Sequence, residues 1–502
     1  MKNTVTIQVN FRGGIISPGY LFDVLALAAE AGVTQVSFGL RQQLLFEVEN
    51  TDYLQLSKKF NQFNIEFEAD ENRYPNVVSS YPAEGIFINN TWLSEGVYKD
   101  IFDGMDHRPQ LKINISDSNQ SFTPLLTGNI NWVAMPSLPH FWHLFIRFPK
   151  TNVIYEWSEL VYTNDVARIS RDLERIILEN AEQFIDNPKA DGTTLFSILN
   201  IENYITRTAA GKAILPAFNL PYYEGLNRYH DKYWLGIYRR DEKFDLHFLQ
   251  ALCKLCLQTR SGHFCSTPWK TIIVKGIEEK DKPQWNNLLA AYRINMRHAA
   301  NELNFQVEDQ CAEGLEIKNY LLKNLHKEDI RTFGICIGIK TRKKSEIFSS
   351  ILIKRKPLIN LFGWKLFYVF DVLCARDFNP NERTGEVFSK NTPKALLPEQ
   401  LRRAVLAFYS YQKKTWQEPV PKVVPHDAVS RPVDTPYLIH QCKHCLTVYD
   451  PQTGEPDQQI AGGTPFTDLP SSYLCPLCDS PKADFELKQM RALLVAGSEP
   501  GA

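Results

Sequence analysis

Apolar and polar positions alternate along residues 4–11, the pattern of a half-buried strand. From 18 to 31 the spacing changes: Leu21, Val24, Leu25, Leu27 and Ala28 recur at helical intervals, and Gly32 follows as a stop. Residues 33–38 and 43–48 return to strand character, with Arg41-Gln42 at the turn between them. The same series recurs further along. Residues 234–239 read as a strand, and 244–257 read as a helix carrying Phe244, Leu246, Phe248, Leu249, Leu252 and Leu255. Residues 263–265 and 271–277 read as strands around a turn at Thr267-Pro268-Trp269-Lys270. Helix start to turn runs from 18 to 41 in one copy and from 244 to 269 in the other, which predicts an internal duplication. The longest apolar run, 358–375, is interrupted by Lys365 and Asp371 and reads as a buried core segment, not a membrane span. Residues 414–436 hold prolines at 419, 421, 425, 432 and 436 and no glycine, which predicts an extended, semi-rigid tether. Its 419–436 stretch reaches up to about 55 Å at ~3.1 Å per residue.

Composition narrows the class. The 502 residues suffice for about three to four domains, and 44% apolar with 23% charged residues is a globular balance. Lys and Arg number 56 against 57 Asp and Glu, a net charge of −1 without the basic surplus of a nucleic-acid binder. Ten cysteines without a secretory signal after Met1 predict thiols or metal ligands in a reducing cytoplasm. No phosphate-cradling glycine loop, G-x-S-x-G or H-E-x-x-H motif occurs.

The sharpest chemical signal is Cys442-Lys443-His444-Cys445, followed after 29 residues by Cys475-Pro476-Leu477-Cys478. Two such knuckles set four thiolates at the corners of a tetrahedron, which selects zinc or iron; spacing alone does not choose between them. The segment between and after them contains Thr447-Val448-Tyr449-Asp450-Pro451, Gly454-Glu455-Pro456, Gly463-Thr464-Pro465-Phe466 and Thr467-Asp468-Leu469-Pro470, then Lys482 and Phe485-Glu486. Over residues 437–488 this resembles rubredoxin. The resemblance implies one iron held by Cys442, Cys445, Cys475 and Cys478, cycling between ferrous and ferric, above a small core of Tyr449, Phe466, Tyr473 and Phe485. A structural zinc ribbon is the alternative. Rubredoxins place glycine after each knuckle; here Leu446 and Asp479 stand there, and Asp accepts a left-handed backbone more readily than Leu. Residues 433–488 hold eight acids and three bases, so an acidic carrier would be steered toward a basic partner.

A second resemblance covers 4–410 in outline. Ile16-Ser17-Pro18, the helix after it and Gly39-Leu40-Arg41-Gln42-Gln43 resemble the ferredoxin-like half-domain of siroheme sulfite and nitrite reductases. Asn72-Arg73-Tyr74-Pro75-Asn76-Val77-Val78-Ser79 and Gln110-Leu111-Lys112-Ile113-Asn114-Ile115-Ser116 resemble that family's cofactor-facing stretches, and 329–336 stands at the equivalent place in the second copy. Siroheme carries eight carboxylates and needs a ring of cations. By resemblance Arg41 and Lys112 are cofactor-binding, while other family cations fall on Gln110, Pro109 and Pro75. The family holds an iron–sulfur cluster with C-x5-C and C-x3-C. Cys253, Cys256, Cys265, Cys311, Cys336 and Cys374 form neither pair, so no 4Fe–4S cluster is expected, and Cys253 with Cys256 reads as helix packing. Lys340, Arg342, Lys343, Lys344 and then Lys354, Arg355, Lys356 flank 345–353, read as a strand or hairpin arm; they would replace lost cofactor cations, dock the acidic domain, or form a solvated face. His140 and His143 offer imidazoles for a porphyrin-like iron, or pack among aromatics.

The expected fold class is α+β: duplicated ferredoxin-like half-domains (1–70, 231–310) and siroheme-reductase-like α/β domains (71–230, 311–413), a linker (414–436) and a rubredoxin-like metal domain (437–488). The expected function is electron transfer through mononuclear four-cysteine iron. The body would be a docking platform for a protein redox partner, a reductase or oxidase, in nitrate, nitrite or sulfite metabolism. Nucleic acid and membrane are not expected as partners. Two alternatives stand: a siroheme- or tetrapyrrole-binding oxidoreductase fed by its fused rubredoxin, and a non-catalytic scaffold or assembly factor.

Overall fold

The computed structural model describes the chain apart from residues 1–2, 89–90, 297, 343–346, 362–363, 383–384, 416–436, 445–446, 450, 452–453, 456–457, 459, 462, 477 and 491–502. The five linker prolines and Cys445 therefore lie outside the described residues. The chain divides into two compact units, Met1–Trp416 and Gln417–Ala502.

In the first unit, helix Pro18–Glu30 starts where Ser17 accepts a hydrogen bond from the Tyr20 amide and Pro18 fixes the first turn. Leu21, Val24, Leu25 and Ala28 are fully buried on one face. The helix ends in a paired-turn motif: Gly32 at φ 78° donates to Ala29 O, and Val33 N donates to Ala28 O. Its later counterpart begins at Leu246, two residues after the expected start. Asp245 caps it by accepting from Phe248 N at 2.8 Å, and Phe244–Asp245 is a short strand paired with Gln35 and Val36. A residue committed to both a cap and a strand cannot also lie in the helix, hence the shift.

The two half-domains exchange strands. The first sheet runs Phe244–Asp245, Gln35–Phe38, Leu44–Glu49, Thr4–Val9, Glu68–Ala69; the second runs Gly225–Tyr229, Lys232–Ile237, Ile272–Ile277, His263–Ser266, Ile15–Ile16. Each half thus lends the strand before its helix to the edge of the other's sheet, and both bury into one apolar cluster. The turns repeat bond for bond. Gly39 N donates to Gln43 O and Gln42 N to Gly39 O; Thr267 N donates to Thr271 O and Lys270 N to Thr267 O. Gln42 and Lys270 share a positive φ, 64° and 58°.

The larger sheets repeat as well. Val78–Ser79, Ile113–Ser116 and Ile130–Ala134 are parallel, followed by antiparallel Phe141–Arg147 and Glu159–Tyr162. Phe305–Val307, Ile337–Lys340 and Ile351–Leu361 are parallel, followed by antiparallel Trp364–Ala375 and Gly385–Pro393. Helices Val166–Glu179 and Leu397–Thr415 close the two series. Lys112 and Cys336 occupy matching places: the amides of Asn129 and Ile130 donate to Lys112 O, and those of Ser350 and Ile351 donate to Cys336 O. The unit is thus mixed helix and sheet, built as a repeated pair.

Two sequence expectations need correction here. The apolar run 358–375 takes in the end of strand Ile351–Leu361 and the whole of its antiparallel partner Trp364–Ala375, and only part of it is core: Phe370 and Val372 are buried, whereas Leu358 is 58% and Phe367 72% exposed. The pair's outer part reaches past the strand that covers its base, since the Gly385–Pro393 pairing begins at Val369. Of the arm expected over 345–353, the described residues 347–350 are not strand; the strand is Ile351–Leu361, so Lys354, Arg355 and Lys356 sit inside it. Arg355 pairs with Glu313 and stacks over Tyr368, and Lys356 Nζ meets Asp371 Oδ2 at 2.8 Å. Among the described residues no helix is long and apolar enough to cross a membrane.

Candidate metal centre

In the second unit a three-stranded antiparallel sheet orders Val448–Tyr449, Tyr437–Cys442 and Phe485–Met490. Tyr449, Phe466, Tyr473 and Phe485 are buried together, with ring centroids 5.1 to 6.1 Å apart. His440 stacks on Phe466 at 4.1 Å, and Lys482 lies over the same ring while donating to Thr467 O and Leu469 O. Neither contact is visible in the sequence, because each joins residues far apart in the chain.

The core carries the sulfurs. Cys442, Cys475 and Cys478 place their ligand atoms within 4.8 Å of one another. Cys442 Sγ and Cys478 Sγ are 3.5 Å apart, far beyond a disulfide bond of about 2.05 Å. A tetrahedral ion with metal–sulfur bonds of about 2.3 Å has sulfur–sulfur edges of about 3.8 Å, so the spacing suits one ion. Cys442 and Cys475 are fully buried; Cys478 is exposed.

The turns hold these sulfurs from behind. Cys442 N donates to Thr447 O and Lys443 N to Asp484 O. Cys475 N donates to Ser480 O and Asp479 N to Cys475 O. Asp479 takes the left-handed conformation at φ 56°, the role glycine would fill. Ser480 Oγ lies 3.1 Å from Cys478 Sγ, a contact that sequence reasoning missed. Cys445 and Leu446 of the first knuckle lie outside the described residues. The donor set fits a mononuclear iron: soft thiolates, tetrahedral spacing and an aromatic core that dries two of the sulfurs.

In the first unit, Arg41 and Lys112 come together on one cleft of about 730 Å³, joined by Arg147, Lys150, Lys340 and Arg342. Arg41 is 3% exposed; its Nε donates to Asn76 O, and Nη2 donates to Ile113 O and Asn114 Oδ1. Two acids offset these cations. Asp309 accepts from Leu40 N and Gln43 Nε2, and Glu308 accepts from the amides of Thr341 and Arg342. Arg147 and Lys150 gave no sequence signal, since each stands alone among apolar or small residues and reaches the cleft only through folding. Lys343 and Lys344 lie outside the described residues.

The remaining sequence candidates are not assembled. His140 is exposed, whereas His143 is buried with Nε2 3.1 Å from Met135 Sδ; neither lines the cleft. Burial lowers the His143 pKa, with Glu156 opposing. Cys253 and Cys256 are buried in helix Leu246–Thr259, and burial pushes the Cys253 thiol up to about 12. Among the described residues, the only cluster of three or more His, Cys, Asp or Glu with metal-binding spacing is that of Cys442, Cys475 and Cys478.

A family model described as Rubredoxin matches residues 439–485. The chain is 41% identical over 81 residues to the high molecular weight rubredoxin of Moorella thermoacetica, covering 16% of this chain and 35% of that protein. It is 53% identical over 45 residues to the probable rubredoxin HupI of Bradyrhizobium diazoefficiens (9% and 65%). It is 49% identical over 47 residues to the anaerobic nitric oxide reductase flavorubredoxin of an Enterobacter species (9% and 10%). The chain thus spans between a tenth and two thirds of these relatives. A solved structure, the NirA protein of Mycobacterium tuberculosis, superposes with a TM-score of 0.62 at 14% identity, over 83% of this chain and 84% of that one. The C-terminal part is a rubredoxin domain, and most of the chain has a NirA-like fold.

Proposed function

We propose that this chain is a one-electron carrier. Iron is held by Cys442, Cys445, Cys475 and Cys478, and the body serves as a docking platform for a protein redox partner, a reductase or oxidase, in nitrate, nitrite or sulfite metabolism. The observation that carries this is the convergence of three knuckle sulfurs within 4.8 Å in a domain that matches rubredoxin. Bound iron supplies a ferrous–ferric couple. Buried Cys442 and Cys475 keep water from two of the sulfurs, and exposed Cys478 offers a partner a short approach to a third. The flavorubredoxin relative, whose name joins a rubredoxin to nitric oxide reduction, supports a fusion of carrier and redox body. Six-electron reduction of sulfite or nitrite is not part of this reading, since the body's six cysteines lack the pairs of a bridging cluster. Metal analysis and a visible spectrum of the purified chain test the proposal. One iron per chain and a band bleached by dithionite are expected, and Cys475→Ser loses both. A colourless chain holding zinc overturns it.

One observation favours a second reading, a siroheme- or tetrapyrrole-binding oxidoreductase: the cleft gathers six cations against two acids on a NirA-like fold. In that reading Lys112, Arg147, Lys150, Lys340 and Arg342 would meet the carboxylates of the ligand. A Soret band after expression with siroheme supply, lost in Lys112→Ala, supports it; its absence counts against it.

A further inference from the structure

Ser480, beyond the second knuckle, sets its side chain against a ligand sulfur. Its Oγ lies 3.1 Å from Cys478 Sγ, at the exposed corner of the site. The position is built by the turn. Ser480 O accepts from Cys475 N at 2.8 Å, and the left-handed Asp479 before it reverses the chain, so the backbone holds the hydroxyl beside the sulfur. Between a free thiol and a hydroxyl, either atom can donate. A metal-bound sulfur has lost its proton, so in the loaded site only the serine donates.

We propose that Ser480 sets the reduction potential of this centre by donating a hydrogen bond to the Cys478 sulfur. This rests on the iron reading above. When one electron arrives from a one-electron donor such as a reduced flavoprotein, ferric iron becomes ferrous, no bond is made or broken, and no proton moves. Four thiolates and the ion then carry a net charge of −2 in place of −1, and the added charge is shared with the sulfurs. A hydrogen bond to sulfur stabilises the more negative state more strongly, so it raises the potential. Left-handed Asp479 and Ser480 together stand where the rubredoxin resemblance leads one to expect a glycine-led turn.

A spectroelectrochemical titration of the full-length, iron-loaded chain tests this with Ser480→Ala and Ser480→Thr. In the alanine variant the reduced-to-oxidised ratio at the wild-type midpoint should fall three- to tenfold, about 30 to 59 mV for one electron. The sulfur-to-iron charge-transfer band should move to lower energy, because a sulfur without its donor gives up charge more easily. Threonine keeps the hydroxyl and should stay within about twofold of wild type. An alanine variant with wild-type iron content and an unchanged midpoint overturns the role of Ser480 and leaves the iron reading standing. So does a threonine variant that shifts as far as alanine. A chain that binds zinc and shows no visible band overturns the iron reading, and this inference with it.

Discussion

Arg41 separates two roles that look alike in a sequence. As a cofactor cation it would face the cleft and matter only when a ligand is bound. In the structure its guanidinium also binds the carbonyls of Asn76 and Ile113, tying the turn of the first half-domain to the strands of the adjoining sheet. Removing it leaves buried carbonyls without a donor, at about 1–3 kcal/mol each. Arg41→Ala should therefore lower the unfolding free energy of ligand-free protein by about 2–4 kcal/mol in urea denaturation. Arg41→Lys should rescue little, because an ammonium cannot reproduce the planar fork. A ligand-free alanine variant as stable as wild type would make Arg41 a cofactor residue only. A second prediction concerns pH. Burial lowers the pKa of both His107 and His143, so the unfolded chain takes up these protons first. Their contribution to stability is complete above the unfolded value near about 6.5 and is lost as pH falls through the lowered folded values. The melting temperature should drop between pH 7.5 and 5, and His143→Gln should flatten that slope.

At the scale of elements, the helices and turns of the first repeat were legible because a helical stripe and a turn sequence are local. Leu21, Val24, Leu25 and Ala28 announce a buried face, and the matching turns at 39–43 and 267–271 announce the second copy. The strand exchange was not legible. Ile15–Ile16 and Phe244–Asp245 are two residues each, too short for an alternating pattern, and their partners lie over 200 residues away. The repeat of the larger sheets was expected only through the family resemblance and not from the residue pattern, for a related reason: parallel pairing joins segments whose sequences share only burial. In the site, the knuckles were read from spacing, whereas Ser480, Arg147 and Lys150 acquire their places only through folding. The exchanged strand makes Asp245 a sensitive position, since it caps one helix while pairing with the other half's sheet. Asp245→Ala should cost about 0.5–2 kcal/mol, and Asp245→Asn, which still accepts from Phe248 N, should recover most of it in the same thermal melt. Equal losses in both variants would mean that charge, and not the cap, is what matters.

Across the whole molecule, the two compact units differ in what keeps them folded. The first has three large apolar clusters of its own, built around the repeated sheets. Among the described residues, the second buries eight in its cluster, two of them the cysteines at 442 and 475. A domain of about 50 residues cannot bury enough surface to offset its conformational entropy, so metal binding becomes part of its folding free energy. Removing the metal should therefore act on one unit. In calorimetry of the full chain, stripping iron under reducing, acidic conditions and returning to neutral pH should abolish the tail's transition and its near-ultraviolet aromatic signal. The body's transition should persist. Restoring ferrous iron without oxygen should bring the tail's transition back, because its aromatic core and turns need only the four sulfurs drawn together to close. If the metal-free tail still melts cooperatively, Tyr449, Phe466, Tyr473 and Phe485 form a sufficient core without the ion. The tail would then be a preformed site, and its affinity for metal would no longer be coupled to its folding.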